Sequence, residues 1–350
     1  MNTPTRHPVI TEDLEQILSR PENWQHFAGK HVLIAGATSF LAAYLVEFFA
    51  LLSERWPDRP VVIHALARNP DKLRRRFPHL CGQSWFRPII QDVCNPLPAL
   101  EQVDFIVHAA GAGSPKQYLS DPIGTTRSNV VGMLNLLELA RQHQARLLFM
   151  SSGAVYGHAQ SDKPISESDF GGLDPLDVSA CYGEGKRVAE TLCADYHRQH
   201  GVVTIMARIS HTYGPGIALD DGRSFADFVR DALAGRDIVL NSDGSGSRPF
   251  CYVSDATAAF LILLLRGEGG NAYNVGLDQE TTILELAKLI AGLSSTPGLQ
   301  VRHPPQSPAR QALFRSSGHF DLSKMDGLGW RPSILPDLGF ARTLRYFTLS

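Results

Sequence analysis

Residues 31–42 read His-Val-Leu-Ile-Ala-Gly-Ala-Thr-Ser-Phe-Leu-Ala, and the fold of the chain follows from this stretch. Its first five residues form a short apolar run, as expected for a strand that is covered on both faces. A turn built from small residues comes next, and a helical apolar run then continues to Leu52. The stretch therefore predicts a strand, a tight turn and a helix in direct succession.

The same alternation continues along the chain. Short apolar runs predict strands at residues 61–66, 104–109, 146–150 and 202–207, with helical segments between them, such as 130–143 and 179–200. Alternation of this kind forms a parallel sheet wrapped by helices, with right-handed crossovers. The last third is less regular and richer in Gly and Pro. We predict an α/β fold, a Rossmann-type doubly wound parallel sheet with a smaller C-terminal substrate-binding domain.

Composition excludes several classes of protein. The chain has 350 residues, 43% of them apolar and 19% charged, with a net charge of -2. These values exclude a disordered chain and argue against a nucleic-acid partner. The longest apolar stretch, residues 40–52, is interrupted by Glu47 and is too short for a membrane span. The five widely spaced cysteines indicate neither disulfides nor a metal site, so we expect a soluble cytoplasmic protein.

The turn after the first strand has the spacing Gly-x-x-Gly-x-x-Gly, although only its first position, Gly36, is glycine. Ser39 and Ala42 occupy the other two positions. Small residues here let the backbone approach a dinucleotide pyrophosphate at the start of a helix. A tight structural turn without a ligand explains the same residues equally well, so this motif needs support from elsewhere in the chain.

The end of the second strand bears on the choice of dinucleotide. NAD sites place an acid there for the ribose hydroxyls, whereas this chain has Arg68 and Asn69. Arg68 is suitably placed for the 2′-phosphate of NADP, but covering the adenine or capping the next helix are equally good alternatives. That helix is basic, and we interpret its charged residues as a solvated face: Lys72, Arg74, Arg75 and Arg76.

The strongest chemical signal joins Ser152, at the end of a predicted strand, with Tyr182 and Lys186 on a predicted helix. The tyrosine and the lysine are four residues apart, so they share one helix face. A nearby ammonium lowers the pKa of a phenol, and such a phenol can exchange a proton with a sugar hydroxyl. Open α/β sheets bind ligands at the ends of their strands, which is where Ser152 lies.

Through these motifs, most of the segment 30–345 resembles an extended short-chain dehydrogenase/reductase of the nucleotide-sugar epimerase/dehydratase family. Further matching segments are Asp92-Val93, residues 108–110, 213–216, 248–255 and 273–276. The resemblance implies NAD or NADP, tightly bound, with Ser152, Tyr182 and Lys186 as catalytic residues. The implied cofactor-binding residues are Gly36, Thr38, Ser39, Phe40, Leu41, Arg68, Asn69, Asp92, Val93, Ala109, Ala110, Gly111, Asn129, Ser151, Tyr182 and Lys186.

The resemblance also implies a nucleotide-sugar substrate and the residues that bind it: Lys116, His211, Arg223 and Arg248. A guanidinium grips phosphate through two hydrogen bonds, which suits Arg248 to the diphosphate. The alternative for Arg248 is a structural ion pair with Asp255.

Within the family, residues 114–116, 181–187 and 220–223 look most like the UDP-glucuronate decarboxylases. Those enzymes carry an acid after the catalytic Ser or Thr, whereas this chain has Gly153 and Ala154. Ser179 and His211 also depart from the usual Arg and Asn. We therefore expect an NDP-sugar 4-epimerase. The alternatives are a decarboxylase or a 4-keto-sugar reductase, then a 4,6-dehydratase, and last a dinucleotide sensor without turnover.

The expected organisation has three parts. Residues 1–29 form an N-terminal helical extension, with a helix capped near Thr11. Residues 30–210 form the dinucleotide-binding domain, to which residues 237–275 return, and residues 211–350 mainly bind the sugar nucleotide. By resemblance we also expect a homodimer joined through a four-helix bundle, which residues 130–143 and 179–200 would supply. The apolar faces of these helices fit equally well inside the monomer.

Overall fold

The computed structural model describes residues 5–157, 163–303 and 319–349. Its strands are β1 His31–Ala35, β2 Val62–Ala67, β3 Phe86–Ile90, β4 Phe105–His108, β5 Arg146–Ser152, β6 Thr204–Ile209, β7 His211–Tyr213, β8 Ile238–Val239, β9 Ser247–Arg248, β10 Phe250–Tyr252, β11 Asn271–Val275, β12 Thr281–Thr282 and β13 Val301–Arg302. Its helices are α1 Pro8–Leu18, α2 Phe40–Arg55, α3 Pro70–Arg76, α4 Pro115–Ser120, α5 Pro122–His143, α6 Ala180–His200, α7 Ser224–Leu233, α8 Val253–Arg266, α9 Ile283–Leu293, α10 Ser323–Gly327 and α11 Pro336–Thr348.

Seven parallel strands form the central sheet in the order β11-β6-β5-β4-β1-β2-β3. The order reverses between β1 and β4, so the predicted doubly wound parallel sheet is confirmed. The sequence analysis missed both edge strands. Strand β3 contains Pro88 and exposes Arg87, Pro88 and Ile90, and β11 is partly polar, so neither shows a continuous apolar run.

The two faces of the sheet bury separate apolar layers. In β1, Val32 and Ile34 face the layer that contains the side chains of α2 and α8, whereas Leu33 and Ala35 face the layer of α5 and α6. A central strand covered on both sides has no position for a solvated residue, which explains the uninterrupted apolar run.

The N-terminal segment is part of the core rather than an appendage. Helix α1 starts at Pro8 with His7 as its cap, so the expected cap at Thr11 is wrong by one turn. Proline is favoured at the first helical position because its missing N–H has no partner there anyway. The apolar face of α1, Ile10, Leu14 and Ile17, joins the same apolar layer as α2 and α8.

A buried carboxylate fastens α1 to three other elements. Asp13 is fully buried and accepts hydrogen bonds from Tyr44 at 2.9 Å, Tyr252 at 2.8 Å and Arg342 at 2.8 Å. Burial raises the pKa of Asp13 to about 6, although the three donors act in the opposite direction. One side chain thus joins α1 to α2, β10 and α11.

The later part of the chain makes three small two-stranded pairings, β7 with β10, β9 with β12 and β8 with β13. Helices α7, α9 and α11 pack beside them, whereas α8 packs on the main sheet and β11 is its edge strand. No helix in the described part of the chain is long and apolar enough to cross a membrane.

We expect Asp13→Ala to lower the free energy of unfolding by about 3 kcal/mol, because one change leaves two buried phenols without their acceptor and removes one of the partners of the half-buried Arg342 guanidinium. The control is Glu12→Ala, which removes an exposed carboxylate beside Arg342 and Arg345 and should cost under about 1 kcal/mol. Urea denaturation measures both changes. Equal losses of unfolding free energy in the two variants would contradict the role of Asp13 as the buried acceptor that joins α1 to the other elements.

Candidate active site

A cleft of about 1000 Å³ opens where β1, β2, β4 and β5 end. It brings together most of the residues predicted from the sequence, although they come from distant parts of the chain. The predicted residues that line it are Gly36, Thr38, Ser39, Phe40, Leu41, Arg68, Asn69, Asp92, Val93, Ala109, Ala110, Gly111, Ser151, Ser152, Tyr182, Lys186 and Arg223.

The turn after β1 fits a dinucleotide for a steric reason. Gly36 has φ +79, and a Cβ there would lie 2.7 Å from the Ala109 carbonyl oxygen and 2.7 Å from the Ala110 nitrogen. Only glycine therefore fits where the ends of β1 and β4 meet. Helix α2 starts directly after this turn, and the first N–H groups of a helix have no partner within it. These groups suit a pyrophosphate.

Three side chains form the chemical centre of the cleft. Ser152 ends β5, its hydroxyl accepts from the Ala154 amide at 3.2 Å, and it lies close enough to Tyr182 to lower the pKa of that phenol. Lys186 lies one helical turn after Tyr182, and its Nζ donates to the Met150 carbonyl at 2.7 Å. The same ammonium is 5.8 Å from the centre of the Tyr182 ring. Strand β5 and helix α6 therefore hold the predicted catalytic set together.

The charges at this centre differ from the expectation. Burial raises the pKa of the Tyr182 phenol, and the Ser152 hydrogen bond and the Arg223 charge only partly offset it. The expected lowering of this pKa by Lys186 is therefore not found. Lys186 is buried, and burial lowers the pKa of its own ammonium to about 7, against the opposing charge of Glu190.

Glu190, which the sequence analysis missed, connects this centre to the sheet. Its carboxylate accepts from the Ser151 hydroxyl at 2.5 Å and from the Arg208 guanidinium at 2.7 Å. The signal was present, because Tyr182, Lys186 and Glu190 recur at intervals of four on α6 and so share one face.

A second tyrosine was also missed. The Tyr118 ring stacks on the Tyr182 ring, with centroids 5.3 Å apart and planes 16° apart. This contact limits the tilt of the Tyr182 ring. The sequence offers no local signal for it, because α4 and α6 meet only in the folded chain.

Two predicted residues lie beside the cleft rather than on its wall. Asn129 is fully buried, donates to the Thr125 carbonyl at 2.9 Å and has an amide oxygen without a partner. Lys116 is exposed and pairs with Asp220 at 2.7 Å. In this conformation Asn129 is buried behind the cleft wall, and the Lys116 ammonium is paired with the Asp220 carboxylate.

His211 and Arg248 also lie outside the cleft wall. Burial and the charges of Arg248 and Arg223 lower the pKa of His211 to about 3, so its imidazole is neutral. Asp255 pairs with Arg20 at 2.9 Å and accepts from the Ser333 and Ile334 amides. The alternative of an ion pair between Arg248 and Asp255 is therefore wrong.

Gly153, directly after Ser152, has no room for a side chain. A Cβ at Gly153 would lie 2.7 Å from the Phe320 ring, which is itself buried. The space beside Gly153 is thus filled by an aromatic ring from a distant part of the chain. Among the described residues, no group of three or more His, Cys, Asp or Glu side chains is placed to hold a metal ion.

A family model described as NAD dependent epimerase/dehydratase family matches residues 32–276. The chain is 36% identical over 304 residues to UDP-glucuronic acid decarboxylase 3 of Arabidopsis thaliana, covering 87% of this chain and 84% of that one. It is 34% identical over 318 residues to UDP-glucuronic acid decarboxylase 1 of Xenopus tropicalis, covering 91% and 72%.

Among solved structures, UDP-glucose 4-epimerase from Thermotoga maritima matches with a TM-score of 0.75 and 20% identity, covering 91% of this chain and 98% of that one. At this identity the match concerns the fold alone.

We expect Tyr182→Phe to lower turnover by about 10²- to 10⁴-fold, because the phenol oxygen that exchanges the proton is lost while the ring remains. Dinucleotide affinity, measured by calorimetry, should stay within a few-fold of the wild type. The matched control is Tyr196→Phe, on the same helix and outside the cleft wall. Turnover of Tyr182→Phe within a few-fold of the wild type would remove Tyr182 as the proton-transfer group.

The pKa of Lys186 leads to a pH effect of defined sign. The unfolded amine keeps its proton up to about 10.5, so between pH 7 and 10.5 the unfolded chain binds one more proton than the folded one. Stability therefore rises with pH, by about 2 kcal/mol between pH 7 and 9. Lys186→Met should lack this rise in urea denaturation of the ligand-free protein. An identical slope in both proteins would contradict the lowered pKa.

Proposed function

Because the chain belongs to the NAD-dependent epimerase/dehydratase family, we propose that its cleft oxidises C4 of a nucleotide sugar and then reduces the 4-keto sugar on its opposite face. This reaction is a 4-epimerisation. The observation that carries it is the joining of Ser152, Tyr182 and Lys186 at the ends of the strands, next to a segment, Gly153 and Ala154, that carries no carboxylate.

The cofactor fits the residues present. The Gly36 turn and the start of α2 would hold the pyrophosphate, and Lys186 would orient the nicotinamide ribose. When bound, the nicotinamide supplies a reversible acceptor for the C4 hydride. Asp92 and Val93 line the same cleft and would border the adenine.

Each catalytic side chain has one role in this proposal. Tyr182 takes the proton of the C4 hydroxyl and returns one after the sugar has rotated. Ser152 polarises the same oxygen through its hydroxyl, which lies close enough to Tyr182 to act on the pKa of its phenol. Lys186, held on β5 through the Met150 carbonyl, would position the nicotinamide ribose beside Tyr182.

The substrate-binding residues remain part of the proposal. Arg223 lines the cleft, and its charge acts on Tyr182, so it is placed for an anionic group of the substrate. Asp221 holds this guanidinium through Nε at 2.8 Å. Arg248, His211 and Lys116 lie outside the wall and would bind the nucleotide diphosphate only after a local rearrangement.

Gly153 and Ala154 favour epimerisation over dehydration. Dehydration needs a side chain that removes the C5 proton once C4 is a ketone. Neither residue after Ser152 carries such a group, and Phe320 occupies the space that a side chain at Gly153 would need. A 4-keto sugar with an intact C5–H can rotate and be reduced again.

Decarboxylation is the second candidate, supported by the identity to UDP-glucuronic acid decarboxylases over most of the chain. A 4-keto uronic acid is a β-keto acid, which releases CO₂ without an acid beside C5. Arg223 near Tyr182 would hold the carboxylate before it leaves.

We also propose a homodimer in the cytoplasm. Helices α5 and α6 pack along each other and expose Leu134 and Val188, which suits a four-helix bundle with a second copy. All five cysteines are free thiols, as a reducing compartment would keep them.

A C4-deuterated nucleotide sugar distinguishes the reactions. For the epimerase we expect the label to leave C4 and return to C4 of the epimer, with no exchange of the C5 hydrogen in ²H₂O and no change in product mass. Mass spectrometry and NMR of products from UDP-, dTDP-, GDP- and CDP-sugars make the measurement.

Two other patterns would contradict epimerisation. Loss of CO₂ from a uronic acid, with one solvent hydrogen gained at C5, would establish the decarboxylase. Label at C6 with solvent exchange at C5 would establish a dehydratase and require an acid outside the Ser152 segment.

A further inference from the structure

The end of β2 carries a group of cations that the reactions above do not use. In dinucleotide-binding sheets the adenosine ribose lies beyond the end of the second strand, where an acid binds the 2′- and 3′-hydroxyls of NAD. Here the strand ends at Ala67, and Arg68 and Asn69 follow it into the cleft. The position of the acid is therefore occupied by a guanidinium.

Helix α3 adds two more cations on the same side. Lys72 and Arg76 are one turn apart, so they share a face, and both line the cleft with Arg68. Arg74 does not line it and pairs with Asp71 at 2.8 Å. Lys72, Arg74 and Arg75 are exposed, as a solvated face requires, whereas Arg76 is half-buried.

Acidic neighbours do not balance this group, which we name the β2–α3 cation cluster (Arg68, Lys72 and Arg76). Asp92 is 3.8 Å from Arg68, and both side chains are exposed, so the pair is weak. The other acids lining the cleft act elsewhere: Asp121 caps α5, and Asp221 holds Arg223.

Like charges act on one another within the cluster. The Lys72 ammonium lies on the open rim of the cleft and has no hydrogen-bond or ion-pair partner among the described residues. Desolvation and then the charges of Arg76 and Arg68 lower the pKa of its ammonium. An arrangement of this kind is stabilised when an anion enters it.

Arg76 is held in place by a hydrogen bond, whereas the side chains of Arg68 and Lys72 are exposed to the cleft. Its Nη1 donates to the Gly216 carbonyl at 3.3 Å, so the guanidinium rests against the loop between β7 and α7. Gly216 has φ +81 and no side chain, and a Cβ there would collide with the guanidinium. Arg76 thus supplies a fixed positive charge behind Arg68 and Lys72.

We propose that the β2–α3 cation cluster is a 2′-phosphate subsite, and that the dinucleotide of this protein is NADP(H) rather than NAD(H). A phosphate monoester carries close to two negative charges and offers three acceptor oxygens. Arg68 matches two of them with its planar fork, and Lys72 adds a point charge. The inference goes beyond the NAD dependence of the family, and it holds for each of the reactions considered above.

Calorimetry on protein freed of bound nucleotide tests the subsite without requiring turnover. The probes are NADP⁺, NAD⁺, 2′,5′-ADP and 5′-AMP. We expect NADP⁺ to bind at least tenfold more tightly than NAD⁺, a difference of about 1.4 kcal/mol. The protein should bind the fragment 2′,5′-ADP more tightly than 5′-AMP by a similar factor.

Variants assign the effect to the cluster. Arg68→Ala and Lys72→Ala should each weaken NADP⁺ and 2′,5′-ADP at least tenfold and change NAD⁺ by less than threefold. Arg74→Ala removes a cation from the same helix outside the cleft wall, so it should leave all four affinities unchanged.

A wild-type protein that binds NAD⁺ as tightly as NADP⁺ would overturn the proposal, as would an Arg68→Ala variant that weakens both equally. The fragment data separate this proposal from the proposed reaction. Selective binding of 2′,5′-ADP by a protein that turns over no nucleotide sugar would support the subsite and overturn the reaction.

Discussion

Where β1 ends, the backbone at Gly36 rests against the carbonyl of Ala109 and the amide of Ala110 at the end of β4. These two strands are neighbours at the point where the strand order reverses, so their chains turn to opposite faces of the sheet. The contact fixes how α2 starts and how the chain leaves β4. The cleft exists because two helical layers diverge from this one point.

The chemical centre is attached to the sheet backbone rather than to loops. Lys186 donates a hydrogen bond to a backbone carbonyl of β5. One turn later, Glu190 accepts hydrogen bonds from Ser151 on the same strand and from Arg208 on β6. One face of α6 is thus fixed to two adjacent strands. A proton-transfer group needs placement within a fraction of an ångström, and secondary structure provides it better than a flexible segment.

The sequence predicted what is encoded locally. The apolar run of β1, its small-residue turn and the spacing of Tyr182 and Lys186 are all short-range patterns, and the structure brings them to one cleft. Features set by distant contacts were missed, such as the stacking of the Tyr118 ring on the Tyr182 ring and the packing of Phe320 against Gly153. The orientation of α3, which places Lys72 and Arg76 along the cleft, also depends on tertiary packing.

The carboxylate of Asp13 has a consequence for the order in which the chain folds. Its partner Arg342 follows it by 329 residues, and Tyr252 follows it by 239. The ribosome releases α1 long before these donors are made, so Asp13 completes its hydrogen bonds late in synthesis. Until then the contacts of α1 with α8 and α11 cannot form, and contacts so distant in sequence form slowly. Helix α1 therefore reaches its final packing only when the C-terminal part of the chain is present. A chain truncated before α11 leaves Asp13 without Arg342.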